Sequence, residues 1–576
     1  MTDGTQGVLR ADEADRRVAE ARQALEAGDA AAAKRIVAEV IGLDPGHVPA
    51  LVLAGRLEKL SGRDERAREL LETAVGLDAE QLEARLELAE VYRRQLEHDR
   101  CLDELSYVLY RDPRSARAYL ELASVHRVRG DVDGAIDFLK KALEIEPDFV
   151  EALVDLGRLY LVRNHHEEAL KVLERAAELD PLSIAVQSSL AFNYARLEQY
   201  ERGYELFVKL CAMTPDSALS PRINLGNALD NMGQFARSER IYEQVLQYEP
   251  NNFAARWNRA TLILARHDFE RGWEEYQYRM QQDGVWKTRL IPFQPWKGEP
   301  LEGKTVVVSA EQGLGDQIMF ASCLADVIGQ AEKVYVESDS RLAALFTRSF
   351  PGATVLSSEH EMKPRWLKQV GMPDYHISAG TLPRYLRRTR DSFPEHHGYL
   401  RADPDKVARW RDELGRLGPG LKVGISWRGG TSSTRRRLRS LVLEDFAPIL
   451  RVAGCRFVNL QYGDVAAELE GCARDLGLEV AHWPSAIEDY DETAALCCAL
   501  DLTISVCTSV IHLNGALARP VWVLVPAVAE WRYGRTGERM PWYPSASLIR
   551  QAELGDWAAL IEQVAGRLKE RVASGA

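Results

Sequence analysis

Apolar positions in the first half of the chain recur at helical spacing, and the whole pattern repeats with a period of ~34 residues. The clearest repeat carries small or apolar side chains at Leu153, Leu156, Gly157, Tyr160, Ala169, Leu173 and Ala176. This spacing predicts two amphipathic helices per repeat, each with one apolar face. We expect the paired helices to approach most closely at Gly157 and Ala169, with Tyr160 and Leu173 filling the seam between them.

Prolines mark the ends of these repeats. Four of them follow one another at that same constant interval: Pro113, Pro147, Pro181 and Pro215. Proline ends a helix because its ring and its missing N–H interrupt the hydrogen-bond ladder. The pattern resembles the tetratricopeptide repeat over about residues 10–285 and predicts an α-solenoid domain across residues 1–285. Such an array is either a scaffold or a groove for an extended protein partner, and the groove is the favoured interpretation.

Three asparagines sharpen the prediction of a groove. Asn224 and Asn258 are one repeat length apart, on the helix face that lines the groove in this fold, and Asn227 is one turn on from Asn224. A carboxamide donates and accepts hydrogen bonds at once, so these side chains are candidates for binding the backbone of an acceptor protein. Solvated asparagines on an exposed helix face are the alternative.

After residue 303 the pattern changes to short β-rich runs that alternate with helical segments. Strands are predicted at residues 305–310, 333–338, 374–378, 421–427, 455–461, 501–506 and 521–525. This alternation predicts parallel sheets built from βαβ units, with ligands bound at the carboxyl ends of the strands. The expected organisation is a connector at 286–303, an N-terminal lobe at 304–400 and a C-terminal lobe at 401–576 that ends in a helix.

The composition and charge of the chain disfavour several classes of protein. The chain has 576 residues and a net charge of −13, which disfavours binding to nucleic-acid backbones. We find no apolar run near the ~18 residues of a membrane-spanning helix and no basic start with an apolar core, as in a secretory signal. The eight cysteines have no metal-ligand spacing. We therefore expect a cytoplasmic protein with reduced thiols, no metal site and no membrane insertion.

A glycine-containing loop, with Gly313, Gly315 and Asp316, follows the first predicted strand and opens a helix. Glycines let a backbone approach a ligand closely, and a helix N-terminus offers free N–H groups. Ile318 breaks the dinucleotide fingerprint and the loop has no Walker lysine, so nicotinamide enzymes and P-loop NTPases are disfavoured. Taken alone, Asp316 is better explained as an acid that stabilises the helix N-terminus.

Two segments of the second lobe also follow strand ends. Arginines cluster after the strand that ends near Trp427, where phosphate binding and a solvated charged face are both open. Thr508 and Ser509 begin a later helix, with His512 one turn in. Hydroxyls at a helix N-terminus suit a diphosphate, and the histidine would add a proton or a charge; an ordinary cap with a packed histidine is the alternative. Together the loops suggest a nucleotide-diphosphate or a similar leaving group.

Several stretches of the second half, among them EQGLGDQIMFA (311–321), VGISWRGG (423–430) and LQYGD (460–464), resemble the heptosyltransferase-like glycosyltransferases of the GT-B fold. The chain is similar in particular to bacterial proteins in which such a domain follows tetratricopeptide repeats. The resemblance implies two Rossmann-like lobes and an inverting, metal-independent transferase. Its donor would be a nucleotide-sugar, and no cofactor would be needed.

The resemblance also implies roles for single residues. Asp316 matches the acid proposed as general base, which takes the proton of the acceptor hydroxyl. Arginine near the donor would neutralise the leaving group. The donor-binding residues expected on these grounds are Gly313, Gly315, Trp427, Arg428, Arg437, Arg439, Gln461, Thr508, Ser509, His512 and Trp531. The family usually has an acid where this chain has Cys507, a change that either alters the choice of sugar or marks a weakened enzyme.

Three functional hypotheses follow from these observations. The leading one is a protein glycosyltransferase whose repeats bind the acceptor protein and whose lobes transfer a sugar to a Ser or Thr hydroxyl. By analogy with repeat-bearing bacterial transferases, flagellin is the candidate acceptor, and a nonulosonic acid on a cytidine nucleotide is a candidate donor. The alternatives are a transferase that acts on lipopolysaccharide or capsule saccharide, and a non-catalytic repeat adaptor with a degenerate transferase domain.

Overall fold

The structure is a computed structural model that describes residues 11–281, 291–311, 313–358, 364–430 and 436–575, with Ala11, Gln281 and Arg437 described by their backbone alone. The chain divides into two compact units, residues 1–197 and 198–576. The first unit holds repeats, and the second holds further repeats together with the α/β region. The domain boundaries expected from the sequence, at 285, 303 and 400, describe a different division and stay a prediction.

The first unit consists of five helix pairs and one further helix. Its helices are α1 Ala11–Glu26, α2 Ala30–Leu43, α3 Val48–Leu60, α4 Asp64–Leu77, α5 Leu82–Arg94, α6 His98–Arg111, α7 Ala116–Val128, α8 Val132–Ile145, α9 Val150–Val162, α10 His166–Leu179 and α11 Ile184–Arg196. Polar side chains begin several of them, as Asp29 does by accepting a hydrogen bond from the Ala32 N–H at 2.8 Å.

Gly157 explains how closely two of these helices pack. A Cβ atom at Gly157 would lie only 2.6 Å from Cγ of Leu173, so any larger side chain would push α9 and α10 apart. Ala169 and Leu173 are fully buried in the same seam, and the close approach predicted from the sequence is confirmed. Gly55 and Leu71 have the same sequence spacing, and a Cβ atom at Gly55 would also lie 2.6 Å from Cγ of Leu71. The close contact between paired helices therefore occurs in another repeat as well.

The second unit opens with five helices and a short 3-10 helix: α12 Tyr200–Met213, α13 Leu219–Asn231, α14 Phe235–Tyr248, α15 Phe253–Leu264, α16 Phe269–Tyr276 and the 3-10 helix Gln277–Gln281. Gly226 and Tyr242 form the corresponding close contact here, at 2.5 Å from an added Cβ to Cε1. Helix α16 is the last repeat helix. Its Trp273 and Tyr276 are buried in the same hydrophobic core as the strands that follow.

The first sheet of the α/β region has four parallel strands in the order β3-β2-β1-β4. Its elements are β1 Thr305–Ser309, α17 Leu314–Phe320, α18 Leu324–Gln330, β2 Lys333–Asp339, α19 Ala343–Ser349, β3 Ala353–Ser358, β4 Tyr375–Ser378 and α20 Pro383–Leu386. Strand β1 is central, pairing Val306 with Val334 on one side and with Tyr375 on the other. The loop after β1 therefore leaves the middle of the sheet.

The second sheet has seven strands in the order β10-β11-β9-β8-β5-β6-β7. Its elements are α21 Pro404–Gly415, β5 Leu421–Ser426, α22 Ala447–Leu450, β6 Cys455–Asn459, α23 Ala466–Leu476, β7 Val480–Ala481, α24 Pro484–Glu488, α25 Tyr490–Ala499, β8 Leu502–Val506, α26 Ser509–Ala516, β9 Val521–Val525, β10 Arg539–Met540, β11 Tyr543–Arg550 and α27 Trp557–Ser574. The pairings are parallel except that of β10 with β11. All seven predicted strands are present, and β3, β7, β10 and β11 were not predicted.

The fold class predicted from the sequence is confirmed: repeat helices extend to Tyr276, and an α/β region with parallel sheets follows. Trp296, from the predicted connector, is buried, and its indole N–H donates to the Glu299 carbonyl at 2.8 Å. Among the described residues, no helix combines the length and the apolar character needed to cross a bilayer.

Candidate functional site

A cavity of about 450 Å³ opens in the second unit where loops from both sheets meet. Its walls follow the carboxyl ends of strands β1, β5, β6, β8 and β9. The lining residues are Gly313, Leu314, Gly315, Asp316, Arg341, Gly430, Arg439, Leu460, Tyr462, Ile487, Glu488, Tyr490, Thr493, Cys507, Thr508, Ser509, Val510, His512, Arg532 and Tyr533. Seven residues selected from the sequence thus share one cavity: Gly313, Gly315, Asp316, Arg439, Thr508, Ser509 and His512.

The loop after β1 brings two helix starts together. Gly313 caps α17, and Asp316 lies in the first turn of that helix. A Cβ atom at Gly315 would lie 2.9 Å from Cδ2 of His512 and 3.5 Å from Cα of Ser509, so glycine is required where α17 meets α26. Gly315 therefore acts on the cavity indirectly, because it sets the distance between the two helices.

Asp316 forms an ion pair with Arg532, which follows β9. Oδ1 of Asp316 lies 2.8 Å from Nη2 of Arg532, and each side chain is 15% exposed. Burial raises the pKa of the Asp316 carboxyl above its ordinary value, and the charge of Arg532 works against that rise. Burial lowers the pKa of Arg532, but Asp316 and Glu530 outweigh it, so the guanidinium stays charged.

Glu530 joins Arg439 and Arg532, two of the arginines that line the cavity. Its Oε1 accepts a hydrogen bond from Nη1 of Arg439 at 2.7 Å, and its Oε2 lies 3.1 Å from Nη1 of Arg532. Acids and bases therefore alternate along one chain, from Asp316 through Arg532 and Glu530 to Arg439. Among these four residues, two negative and two positive side chains offset each other's charge.

The segment that opens α26 uses its hydroxyls partly for structure. Thr508 is the N-cap residue, and its Oγ1 accepts a hydrogen bond from the Val510 N–H at 3.2 Å. The hydroxyls of Ser505 and Thr508 also lie 3.2 Å apart. Thr508 thus fits the N-cap alternative, while Ser509 is partly exposed at the cavity wall.

His512 is buried between two tyrosines. Its Nδ1 lies 3.0 Å from the Tyr543 hydroxyl, and its Nε2 lies 3.5 Å from the Tyr533 hydroxyl. Burial holds the pKa of the imidazole well below its ordinary value, and the charges of Arg532 and Arg439 act in the same direction. The imidazole is therefore neutral near pH 7, with both ring nitrogens facing tyrosine hydroxyls, whereas the sequence also allowed a charge.

Three of the residues selected from the sequence instead hold the end of β5 in place. Trp427 is fully buried, and its indole N–H donates to Glu468 at 2.9 Å. The side-chain oxygen of Gln461 accepts hydrogen bonds from the backbone N–H groups of Trp427 and Arg428 at 3.1 and 2.8 Å. Arg428 is ion-paired with Glu468. These contacts are structural, and the side chain of Arg437 lies outside the described residues.

Trp531 anchors the loop after β9 to the last repeat helix. Its ring lies edge-on to Trp273 and Tyr276, with centroids 5.4 and 5.5 Å apart. Trp273 in turn donates its indole N–H to the Arg387 carbonyl at 2.9 Å. Trp531 is thus a packing residue, and the neighbouring Arg532 reaches the cavity.

Cys507 occupies the position at which the resembled family usually has an acid. Burial raises the pKa of its thiol to about 12, so the group is protonated. Its Sγ lies 3.7 Å from the Leu524 carbonyl, as a weak donor does. An acid at this buried position would lie near the negative charge of Glu530 and the positive charges of Arg439 and Arg532.

The asparagines of the repeats form hydrogen bonds with one another. Oδ1 of Asn227 accepts from Nδ2 of Asn258 at 2.8 Å and from the Tyr242 hydroxyl at 2.6 Å. Asn224, one turn earlier on α13, is partly exposed. The spacing seen in the sequence therefore produces a real side-chain contact between two repeats, while their predicted role toward an acceptor stays a prediction.

Arg532 and Glu530 were missed by the sequence analysis. The signal was the stretch that carries Trp531, where a basic residue directly follows an aromatic one after a buried strand. The location of this loop after a strand end predicts that the loop lies at the site. It does not predict which of its side chains enters the cavity.

Comparison with protein-family models identifies the type of repeat and the residues that form it. Models of the tetratricopeptide repeat match residues 24–80 and 129–191, and residues 86–148 and 223–281. The protein is thus one in which tetratricopeptide repeats precede an α/β region that carries a two-sheet cavity.

Among curated proteins, the chain is similar to Protein FlbA of Caulobacter vibrioides, with 34% identity over 331 residues. The match covers 55% of this chain and 55% of FlbA, so the chain spans about half the length of the curated relative it matches.

Solved structures also resemble the chain. A thermophilic tetratricopeptide-repeat protein of Thermus thermophilus is 21% identical, with 32% of this chain and 98% of that chain covered and a TM-score of 0.28. YrrB, described as a repeat protein with an unusual peptide-binding site, is 18% identical over 31% of this chain and 91% of its own, with a TM-score of 0.27. PilF of Pseudomonas aeruginosa is 16% identical over 37% and 96%, with a TM-score of 0.34.

Proposed function

We propose that this protein is an inverting glycosyltransferase that moves a sugar from a nucleotide-sugar to a Ser or Thr hydroxyl of an acceptor protein. The observation that supports it most is the shared cavity, in which Asp316 from the loop after β1 pairs with Arg532 and shares the wall with Arg439 and the start of α26. A volume of about 450 Å³ is within the range of about 300–1,000 Å³ typical of small-molecule sites.

Residues of the cavity would take the roles that the proposed reaction requires. The acceptor oxygen would attack the anomeric carbon as the bond from that carbon to the leaving phosphate breaks, and the hydroxyl proton would pass to the carboxylate of Asp316. A raised pKa suits a general base, because it makes the carboxylate a better proton acceptor near neutral pH. The negative charge that builds on the leaving phosphate would be stabilised by arginine and by the N-terminus of α26.

In this proposal the repeats recruit the acceptor. Tetratricopeptide arrays bind extended protein segments, and a tethered binding site raises the local concentration of a poorly folded acceptor. Flagellin is the acceptor to test first, by analogy with repeat-bearing bacterial transferases, and a nonulosonic acid carried by cytidine monophosphate is the first donor.

Intact-mass measurement of a co-expressed acceptor tests the proposal. With the wild type we expect flagellin to gain mass in steps of one sugar residue, and with Asp316→Asn we expect no gain. Glu332→Gln removes an exposed carboxylate from the same sheet region and serves as the matched control that keeps the gain. Equal masses with and without the enzyme, or equal modification by Asp316→Asn, would contradict the proposal. Transfer to a saccharide but not to protein would instead support the saccharide alternative.

A further inference from the structure

Arg532 has an unusual set of partners for a residue that lines a proposed donor site. Its guanidinium lies 2.8 Å from Asp316 and 3.1 Å from Glu530, and it reaches the cavity from the short 3-10 helix Trp531–Tyr533. Its Nε is buried without a hydrogen-bond partner among the described residues. Arg532 is therefore a partly buried cation with unused donor capacity at its buried Nε, held by the same carboxylate that is proposed to act as base.

Arg439 and Arg532, which both line the cavity, differ in their relation to Asp316. Arg439 is hydrogen-bonded to Glu530, and Glu530 keeps that partner whether or not Arg532 moves. If Arg532 turns away, however, Asp316 loses a neighbouring positive charge, and that charge lowers the pKa of its carboxyl. Removing the charge makes Asp316 a stronger base, and its Oδ1, which accepts no hydrogen bond among the described residues, can then accept one from the acceptor hydroxyl.

We propose that Arg532 binds the leaving phosphate of the donor and that, by moving to it, Arg532 releases Asp316 to act as base. The inference rests on the proposed function and adds an order to it: the donor binds first, and the acceptor hydroxyl meets an available carboxylate only afterwards. The guanidinium keeps its proton throughout. It exchanges a carboxylate partner for a phosphate partner, and the proton of the acceptor hydroxyl goes to Asp316.

Such an exchange has a testable thermodynamic consequence. In the ligand-free protein, a phosphate must compete with Asp316 for Arg532, so removing the carboxylate should strengthen phosphate binding. Asp316→Asn also lowers the negative charge of the cavity in general, which would strengthen the binding of any anion. The two effects separate in a double-mutant cycle, because only the exchange depends on Arg532.

Calorimetry on the full-length protein with cytidine monophosphate, uridine diphosphate and inorganic pyrophosphate provides the test. We expect Asp316→Asn to bind its best ligand about tenfold more tightly than the wild type, and Arg532→Gln about tenfold more weakly. In the Arg532→Gln background, Asp316→Asn should give little further gain. Arg416→Gln, which removes an exposed arginine, should match the wild type.

Several outcomes would overturn the inference. These are an equal gain from Asp316→Asn with and without Arg532, wild-type affinity in Arg532→Gln, and no binding of any of the three ligands to any variant. Phosphate binding is read without sugar transfer, so the two proposals fail separately. A non-additive cycle in a protein that modifies no acceptor would retain the role of Arg532 in binding phosphate and reject the transferase.

Discussion

Arg279 and Glu311 form a fully buried ion pair that joins the end of the repeats to the loop after β1. Nε of Arg279 donates to Oε2 of Glu311 at 2.8 Å, and their side chains are 1% and 5% exposed. Oε1 of Glu311 also accepts from the Gly380 N–H at 2.7 Å. Because Glu311 is five residues before Asp316, the end of the repeats fixes the start of the segment that carries the proposed base.

Breaking this pair from one side should be costly. Arg279→Met leaves the carboxylate of Glu311 buried without its cation, and we expect a loss of about 3–5 kcal/mol of stability in the second unit. The double variant Arg279→Met/Glu311→Gln removes the charge as well and keeps an acceptor for Gly380, so it should recover much of the loss. Thermal melts of the three proteins check this. A double variant less stable than Arg279→Met would contradict the assignment of the pair as a buried charge clamp.

Truncation should show that the last repeats belong to the α/β region. Residues 198–576 keep Trp273, Tyr276 and Arg279, so we expect that fragment to melt cooperatively and to bind the same nucleotide as the full chain. A fragment of residues 282–576 loses those side chains, exposes the face of Trp531 and leaves Glu311 unpaired. We expect it to aggregate or to melt far lower. Calorimetry and sedimentation compare the two, and equal stability would contradict the shared core.

The sequence predicts the architecture well where burial imposes a strict pattern. The contact between Gly157 and Leu173 can be predicted because a small residue and a large one recur at the same spacing in paired helices. The same contact occurs between Gly55 and Leu71. Central strands can be predicted because both of their faces are buried, which gives a continuous apolar run in the sequence. Strand β3 was missed because it lies at the edge of its sheet, where only Leu356 is buried along it. Strand β11 was missed because its segment includes Pro544 and two serines, which are typical of loops.

The site is predicted less completely, because position after a strand end does not give the direction of a side chain. Asp316 and His512 follow strand ends and line the cavity. Trp427 also follows a strand end, but its ring lies in the hydrophobic core beneath the sheet. Arg532 enters the cavity from a longer loop after β9. Its role depends on an ion pair with a residue of the other sheet region, far away along the chain, which the spacing of residues does not reveal.

The asparagines of the repeats separate a structural role from a binding role. Asn227→Ala removes the acceptor of two hydrogen bonds, from Asn258 and Tyr242, and should cost about 1–2 kcal/mol in stability. Asn224→Ala should leave the melting temperature unchanged and raise the KM for a protein acceptor about threefold to tenfold, with kcat retained. Melting curves and transfer kinetics measure both effects. An unchanged acceptor KM in Asn224→Ala would reject its predicted role in acceptor binding.

His512 should make the stability of the second unit depend on pH in a defined direction. Burial, with the nearby charges of Arg532 and Arg439, lowers the pKa of the folded imidazole, so below about pH 6.5 the unfolded chain binds a proton that the folded protein refuses. Stability is then lost as the pH falls, by up to about 1.4 kcal/mol per pH unit. His512→Gln keeps a hydrogen-bonding group beside Tyr543 and cannot take up the proton. Between about pH 7.5 and about pH 5.5, the melting temperature of the wild type should therefore fall further than that of His512→Gln, and other buried histidines contribute equally to both. Parallel pH dependences in the two proteins would mean that folding does not lower the pKa of His512, and the effect assigned to its burial would be wrong.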